Sequence, residues 1–171
     1  VITAGHCITS NSSCRSTRFV FGFGIKTAGV NPSTVPTSEV YACADVIHTQ
    51  VKNNGSDYAI VRLDRQVANH TPLPVRRSGS LNIGDDILVI GHPSGLPTKV
   101  AGGAGVREIK PTFYVANLDT YGGNSGSAVF NATTGVIEGI LVRGDQDYKW
   151  DSALGCKVSN VIASDAGRGE D

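Results

Sequence analysis

The sequence predicts an all-β fold arranged as two small antiparallel barrels. Three observations predict it. The 171-residue chain carries 21 Gly and 7 Pro and no long helix-forming stretch, a composition that favours many turns. Short apolar segments alternate with turn clusters such as "NNGS", "HPSGLP" and "NATTG". Those segments fall into two sets, joined by a polar, Pro-containing stretch at 66–80. Closing each set into a barrel would limit exposed strand edges.

In the first set, "RFVFGFGI" places Phe19, Phe21, Phe23 and Ile25 on one face at period two. "EVYACADVI" at 39–47 is the next strand candidate. "DYAIVRL" at 57–63 is almost continuously apolar, as in a strand buried on both sides. The second set is "DILVIG" (86–91), "FYVANL" (113–118), "SAVF" (127–130) and "GVIEGILV" (135–142). "AGGAG" and "YGGNSG" read as turns. Two halves follow, 1–76 and 77–164, with 165–171 as a polar tail predicted to be disordered.

The charge balance, 15 basic against 15 acidic residues, gives no electrostatic footprint for nucleic acid or an anionic membrane. No apolar run is long enough to cross a bilayer. Four cysteines, Cys7, Cys14, Cys43 and Cys156, permit two disulfides in three pairings. Disulfides would place the protein outside the cytosol, as a secreted chain. No C-x-x-C pair occurs, and His6, His48, His70 and His92 share no i, i+4 spacing. No metal site or cofactor is therefore expected. The chain lacks Met and opens inside the motif "VITAGHC", which reads as processed or truncated.

Three residues suggest chemistry. His6 lies in "TAGHC", Asp57 opens the apolar run "DYAIVRL", and Ser125 sits in "GGNSGS". Each alone has an ordinary structural explanation: a packed His, a turn acceptor, a flexible loop. Together, in the order His, Asp, Ser, they supply what acyl transfer through serine needs. The hydroxyl is a poor nucleophile at its own pKa, so a neutral imidazole must take its proton. A carboxylate must then fix the imidazole tautomer and stabilise the imidazolium. The α/β-hydrolase alternative fails, because its elbow is G-x-S-x-G with a His downstream. Here Ser127 replaces the last Gly, and no His follows Ser125.

"TAGHC", "DYAIVRL" and "GGNSGSAVF" resemble the three motifs of the chymotrypsin-fold (trypsin-like) serine peptidases, with the closest likeness to the bacterial glutamyl-endopeptidase-like branch. The resemblance runs from residue 1 to about 162. It implies two six-stranded-type barrels with the active site between them, the first open unless strands before Val1 complete it. It implies a monomeric serine endopeptidase acting on polypeptides, with His6 as general base, Asp57 as its orienting carboxylate and Ser125 as nucleophile. The N–H groups of Gly123 and Ser125 would form the oxyanion hole. Non-catalytic relatives keep the fold as a binding module, which is the alternative from another class.

The resemblance also assigns a specificity pocket. Its base is Asp119, six residues before Ser125, and its wall is Val142, Arg143 and Gly144 in "GILVRG". A carboxylate at Asp119 implies a basic P1 residue. Arg143, where trypsins carry an aromatic residue, opens the alternative of a Glu-preferring enzyme; Leu141 stands where Glu-specific members place a His. Asn124 replaces the Asp that zymogen-activated trypsins pair with a freed N-terminal ammonium, so that switch is not expected. The usual upstream partner of Cys7 is missing, which suggests the pairs Cys7–Cys14 and Cys43–Cys156. The sequons at Asn11, Asn54, Asn69 and Asn131 carry no weight without a known host.

Overall fold

The structure, a computed structural model, describes residues 1–166. Strands β1 (Ile2–Thr3), β2 (Arg18–Val20), β3 (Val40–Val51) and β4 (Asp57–Leu63) form a sheet in the order β1-β4-β3-β2. Strands β5 (Asp86–Gly91), β6 (Lys99–Ile109), β7 (Tyr114–Ala116), β8 (Ala128–Asn131) and β9 (Ile137–Ile140) form a second, in the order β7-β6-β5-β8-β9. Every pairing within them is antiparallel. The two curled sheets are half-barrels of the chymotrypsin-like double-barrel fold. They hold four and five strands rather than six each. A separate hairpin joins β10 (Tyr148–Asp151) to β11 (Cys156–Ser159).

Side-chain alternation builds one core per sheet. In β4, Asp57, Ala59 and Val61 are buried, while Tyr58 and Ile60 are only partly so. The strand thus has one fully buried face, not two. Ile8, Cys14, Cys43, Ala59 and Val61 form the first core, and Ile87, Val89, Val106, Leu118 and Val129 belong to the second. The strand expected through Ile25 ends at Val20. Gly22 takes φ +67° and turns the chain. Phe21 continues the inward pattern one residue past β2: its N–H donates to the Glu39 carbonyl at 2.9 Å and its ring lies 5.1 Å from that of Tyr41.

Five elements were not anticipated: β6, the two strands of the β10–β11 hairpin, β1 and a short helix. "AGGAG" is part of β6 rather than a turn; the pairing with β5 shifts register between Ile87 and Val89, a bulge that such glycines tolerate. Helix α1 (Asn11–Ser16) starts in a capping box, in which the Ser10 side chain accepts the Ser13 N–H and Ser13 reciprocates.

The disulfide expectation is corrected. Cys14 bonds to Cys43, with Cα atoms 5.2 Å apart, and Cys7 and Cys156 are exposed free thiols. The reason is packing. Helix α1 lies against β3 and turns Cys14 into the first core, and the alternation that buries Tyr41 buries Cys43 beside it. Of the expected tail, Asp165 and Ala166 are described, and their carbonyls accept hydrogen bonds from the Arg107 guanidinium. The remainder of that stretch lies outside the described residues.

Candidate active site

The segment carrying His6 is pinned to the first sheet. Residues Gly5–Cys7 form a single 3₁₀ turn after β1. Gly5 lies so close to β3 and β4 that an added Cβ would stand 2.4 Å from the Gln50 carbonyl oxygen and 2.8 Å from that of Tyr58. No other residue fits there without displacing two strands. Downstream, Thr49 Oγ1 donates to the Ile8 carbonyl at 2.9 Å. The imidazole is thereby presented at the sheet's edge from a rigid base.

Asp57 opens β4 and is buried, its side chain 5% exposed. It holds His6 twice. Oδ1 accepts the His6 backbone N–H at 2.9 Å, and Oδ2 lies 2.8 Å from Nδ1. A carboxylate on Nδ1 favours the tautomer with its proton there, which leaves Nε2 as the acceptor. Nε2 stands 2.9 Å from Ser125 Oγ. The neighbouring Cys7 thiol is pushed up from its ordinary pKa by burial and, secondarily, by the Asp57 charge.

The Ser125 loop comes from the second half. The Ser94 N–H donates to the Gly122 carbonyl at 2.7 Å. In a trans peptide the N–H points opposite to the C=O, so this bond turns the Gly123 N–H the other way. Gly123 holds φ +96°, and a Cβ there would lie 2.9 Å from Ser94 N. Both facts require glycine. Among the described residues, neither the Gly123 nor the Ser125 N–H donates to another protein group. Asn124, between them, is buried, and its Oδ1 accepts from Ser127 Oγ at 3.3 Å.

The chain flanking Ser125 continues as an open edge. Leu141 exchanges bonds with the loop: its N–H donates to Ser127 O at 2.9 Å and its C=O accepts from Gly126 N at 2.7 Å. Beyond it, among the described residues, the main-chain groups of Val142 and Gly144 pair with no other backbone. An extended peptide can add to them as a strand. A pocket of about 120 Å³ beside Ser125 is lined by Thr120, Leu141, Arg143, Asp145 and Asp147.

The structure therefore brings together His6, Asp57, Ser125, Gly123, Val142, Arg143 and Gly144. It does not place Asp119 in that pocket. Asp119 is exposed and lines an adjoining cavity of about 360 Å³. Past the end of β7, Leu118 is anchored in the second core while the next side chain, Asp119, is exposed. Thr120, Asp145 and Asp147 were not read from the sequence as pocket residues. Thr120 could have been found from its spacing to Ser125; the two Asp residues lie in a stretch without a motif.

The trypsin-like peptidase domain model matches residues 1–140. The chain belongs to the trypsin-like peptidase family. This peptidase domain also superposes on solved structures. A Glu endopeptidase in complex with MPD matches at a TM-score of 0.61 and 21% identity, over 84% of this chain and 69% of the other. An inactive form of the Rv3671c protease matches at a TM-score of 0.44 and 18% identity, over 63% of this chain and 62% of the other. The active form from M. tuberculosis matches at 0.46 and 21%, over 63% and 53%. No curated protein matches the chain.

Proposed function

We propose that this peptidase domain is a serine endopeptidase that cleaves polypeptides through an acyl-enzyme. The observation that carries the reading is the continuous relay from Asp57 Oδ2 through His6 to Ser125 Oγ, with contacts of 2.8 and 2.9 Å. Nε2 takes the Ser125 proton as Oγ attacks the scissile carbonyl carbon. The carbonyl oxygen becomes an oxyanion facing the Gly123 and Ser125 N–H groups. His6 then returns the proton to the leaving amine, and water repeats the sequence to release the acid. The free edge at Val142 and Gly144 holds the substrate main chain.

For P1 we favour a basic residue, now on Asp147 and Asp145 instead of Asp119. The Gly122 N–H fixes Asp147 Oδ2 at 2.8 Å, so a carboxylate is held in the lining beside Ser125. A Glu preference is the second reading, favoured by Arg143 in the same lining. The Cys14–Cys43 bond supports an oxidising, extracellular compartment. Hydrolysis of a peptide panel bearing Arg, Lys, Glu or Phe at P1 tests both readings. Cleavage led by Arg and Lys supports the first. Cleavage led by Glu replaces it with the second. Cleavage of none, in folded protein, removes the endopeptidase and leaves a binding module.

A further inference from the structure

Arg143 does more in this structure than line a pocket. Its Nη2 donates to the Gly55 carbonyl at 2.9 Å, and its guanidinium carbon lies 5.1 Å from the centre of the Phe113 ring. Gly55 belongs to the half that carries His6 and Asp57. It sits in a turn closed by Lys52 N–H to Ser56 O at 2.9 Å and Gly55 N–H to Lys52 O at 3.1 Å. That turn feeds directly into Asp57, two residues on. Arg143 itself lies two residues beyond Leu141, which is bonded on both sides to the Ser125 loop.

We infer that Arg143 is a positioning residue: it ties the Ser125 half to the turn that delivers Asp57, and so holds the relay in register across the two sheets. The inference rests on the endopeptidase reading. Arginine suits the task because its planar fork can donate to a carbonyl while its face lies against an aromatic ring. The strap starts from the same segment whose free edge would take the substrate backbone. Substrate binding and Asp57 placement therefore share one anchor.

The test compares the full chain with Arg143→Met, which keeps a long apolar stem but no donor, and Arg143→Lys, which restores one. Two quantities are read: kcat and KM on peptides with neutral or acidic residues before the scissile bond, and the low-field proton resonance of His6 Nδ1–H in ¹⁵N-histidine-labelled protein. Arg143→Met should lower kcat about 10- to 100-fold on every peptide, since small misplacements cost rates of this order, with KM moving less than about threefold. The His6 resonance should weaken or vanish, and Arg143→Lys should recover most of both. Where circular dichroism shows Arg143→Met unfolded, Arg143→Leu, which also lacks a donor, takes its place with the same expectation. An unchanged His6 resonance overturns the inference. So does a loss confined to KM for acidic peptides, which would make Arg143 a substrate selector. If the wild type cleaves nothing, the endopeptidase reading falls, and the His6 resonance still decides the positioning role.

Discussion

His6 Nε2 and Ser125 Oγ lie 2.9 Å apart although 119 positions separate them in the chain. The contact crosses the junction between the two sheets, and Asp57 braces it from behind. Asp57→Asn keeps the shape but can present an N–H to Nδ1, which favours the wrong tautomer. By the established behaviour of such triads, kcat should fall about 10³- to 10⁴-fold, with KM nearly unchanged, in steady-state peptide assays.

Gly123→Ala tests the oxyanion role proposed for the Gly123 N–H. The added methyl would meet the Ser94 N–H at 2.9 Å, in a backbone conformation that favours glycine. The loop must shift and the Gly123 N–H with it. Loss of one such donor lowers kcat about 10²- to 10³-fold. A kcat within twofold of wild type would mean that the Gly123 N–H does not face the oxyanion.

Charge removal locates the specificity carboxylate. Asp147→Asn should lower kcat/KM for Arg-P1 peptides by about tenfold or more, the usual consequence of removing a charged partner, and leave Phe-P1 peptides unchanged. Asp119→Asn should leave both unchanged. The reverse outcome would return the role to Asp119.

The Cys14–Cys43 bond closes a loop with a sequence separation of 29. A loop of that length stabilises by about 3–4 kcal/mol in the chain-entropy account. Replacing both cysteines with Ala should lower the unfolding free energy by about that amount in urea titrations. Replacing Cys7 and Cys156 together should leave it nearly unchanged.

Cys7 offers a pH signature. Its thiol pKa is raised, first by burial and then by the Asp57 charge. The thiolate is the reactive form, so a raised pKa means less of it at any given pH. Iodoacetamide should therefore modify Cys7 more slowly at pH 8 than a simple thiol, and the rate should climb as pH rises further. Asp57→Asn, by removing the charge contribution, should speed the reaction.

Much of this was legible in the chain, for identifiable reasons. Asp57–Leu63 and Asp86–Gly91 coincide with the predicted segments because their apolar side chains have a core to face. The meeting of His6, Asp57 and Ser125 was legible because the chemistry expected of them demands those residue types in motifs that leave little freedom. β6 was hidden because its glycines read as a turn, whereas Gly105 pairs with Asp86 of β5 and Gly102 and Gly103 are taken up in a bulge within the continuous strand. The exposure of Asp119 was not legible, because position along the chain says nothing of side-chain direction once Leu118 is anchored. The cysteine pairing was invisible because it depends on how α1 docks on β3, a tertiary contact without a local signal.

The most direct measurement is labelling of the folded chain with a fluorophosphonate, followed by mass mapping of the modified peptide. One adduct per chain is expected, on Ser125, lost in Ser125→Ala and slowed severely in His6→Ala. A folded wild type that takes no adduct, or takes it on another serine, contradicts it.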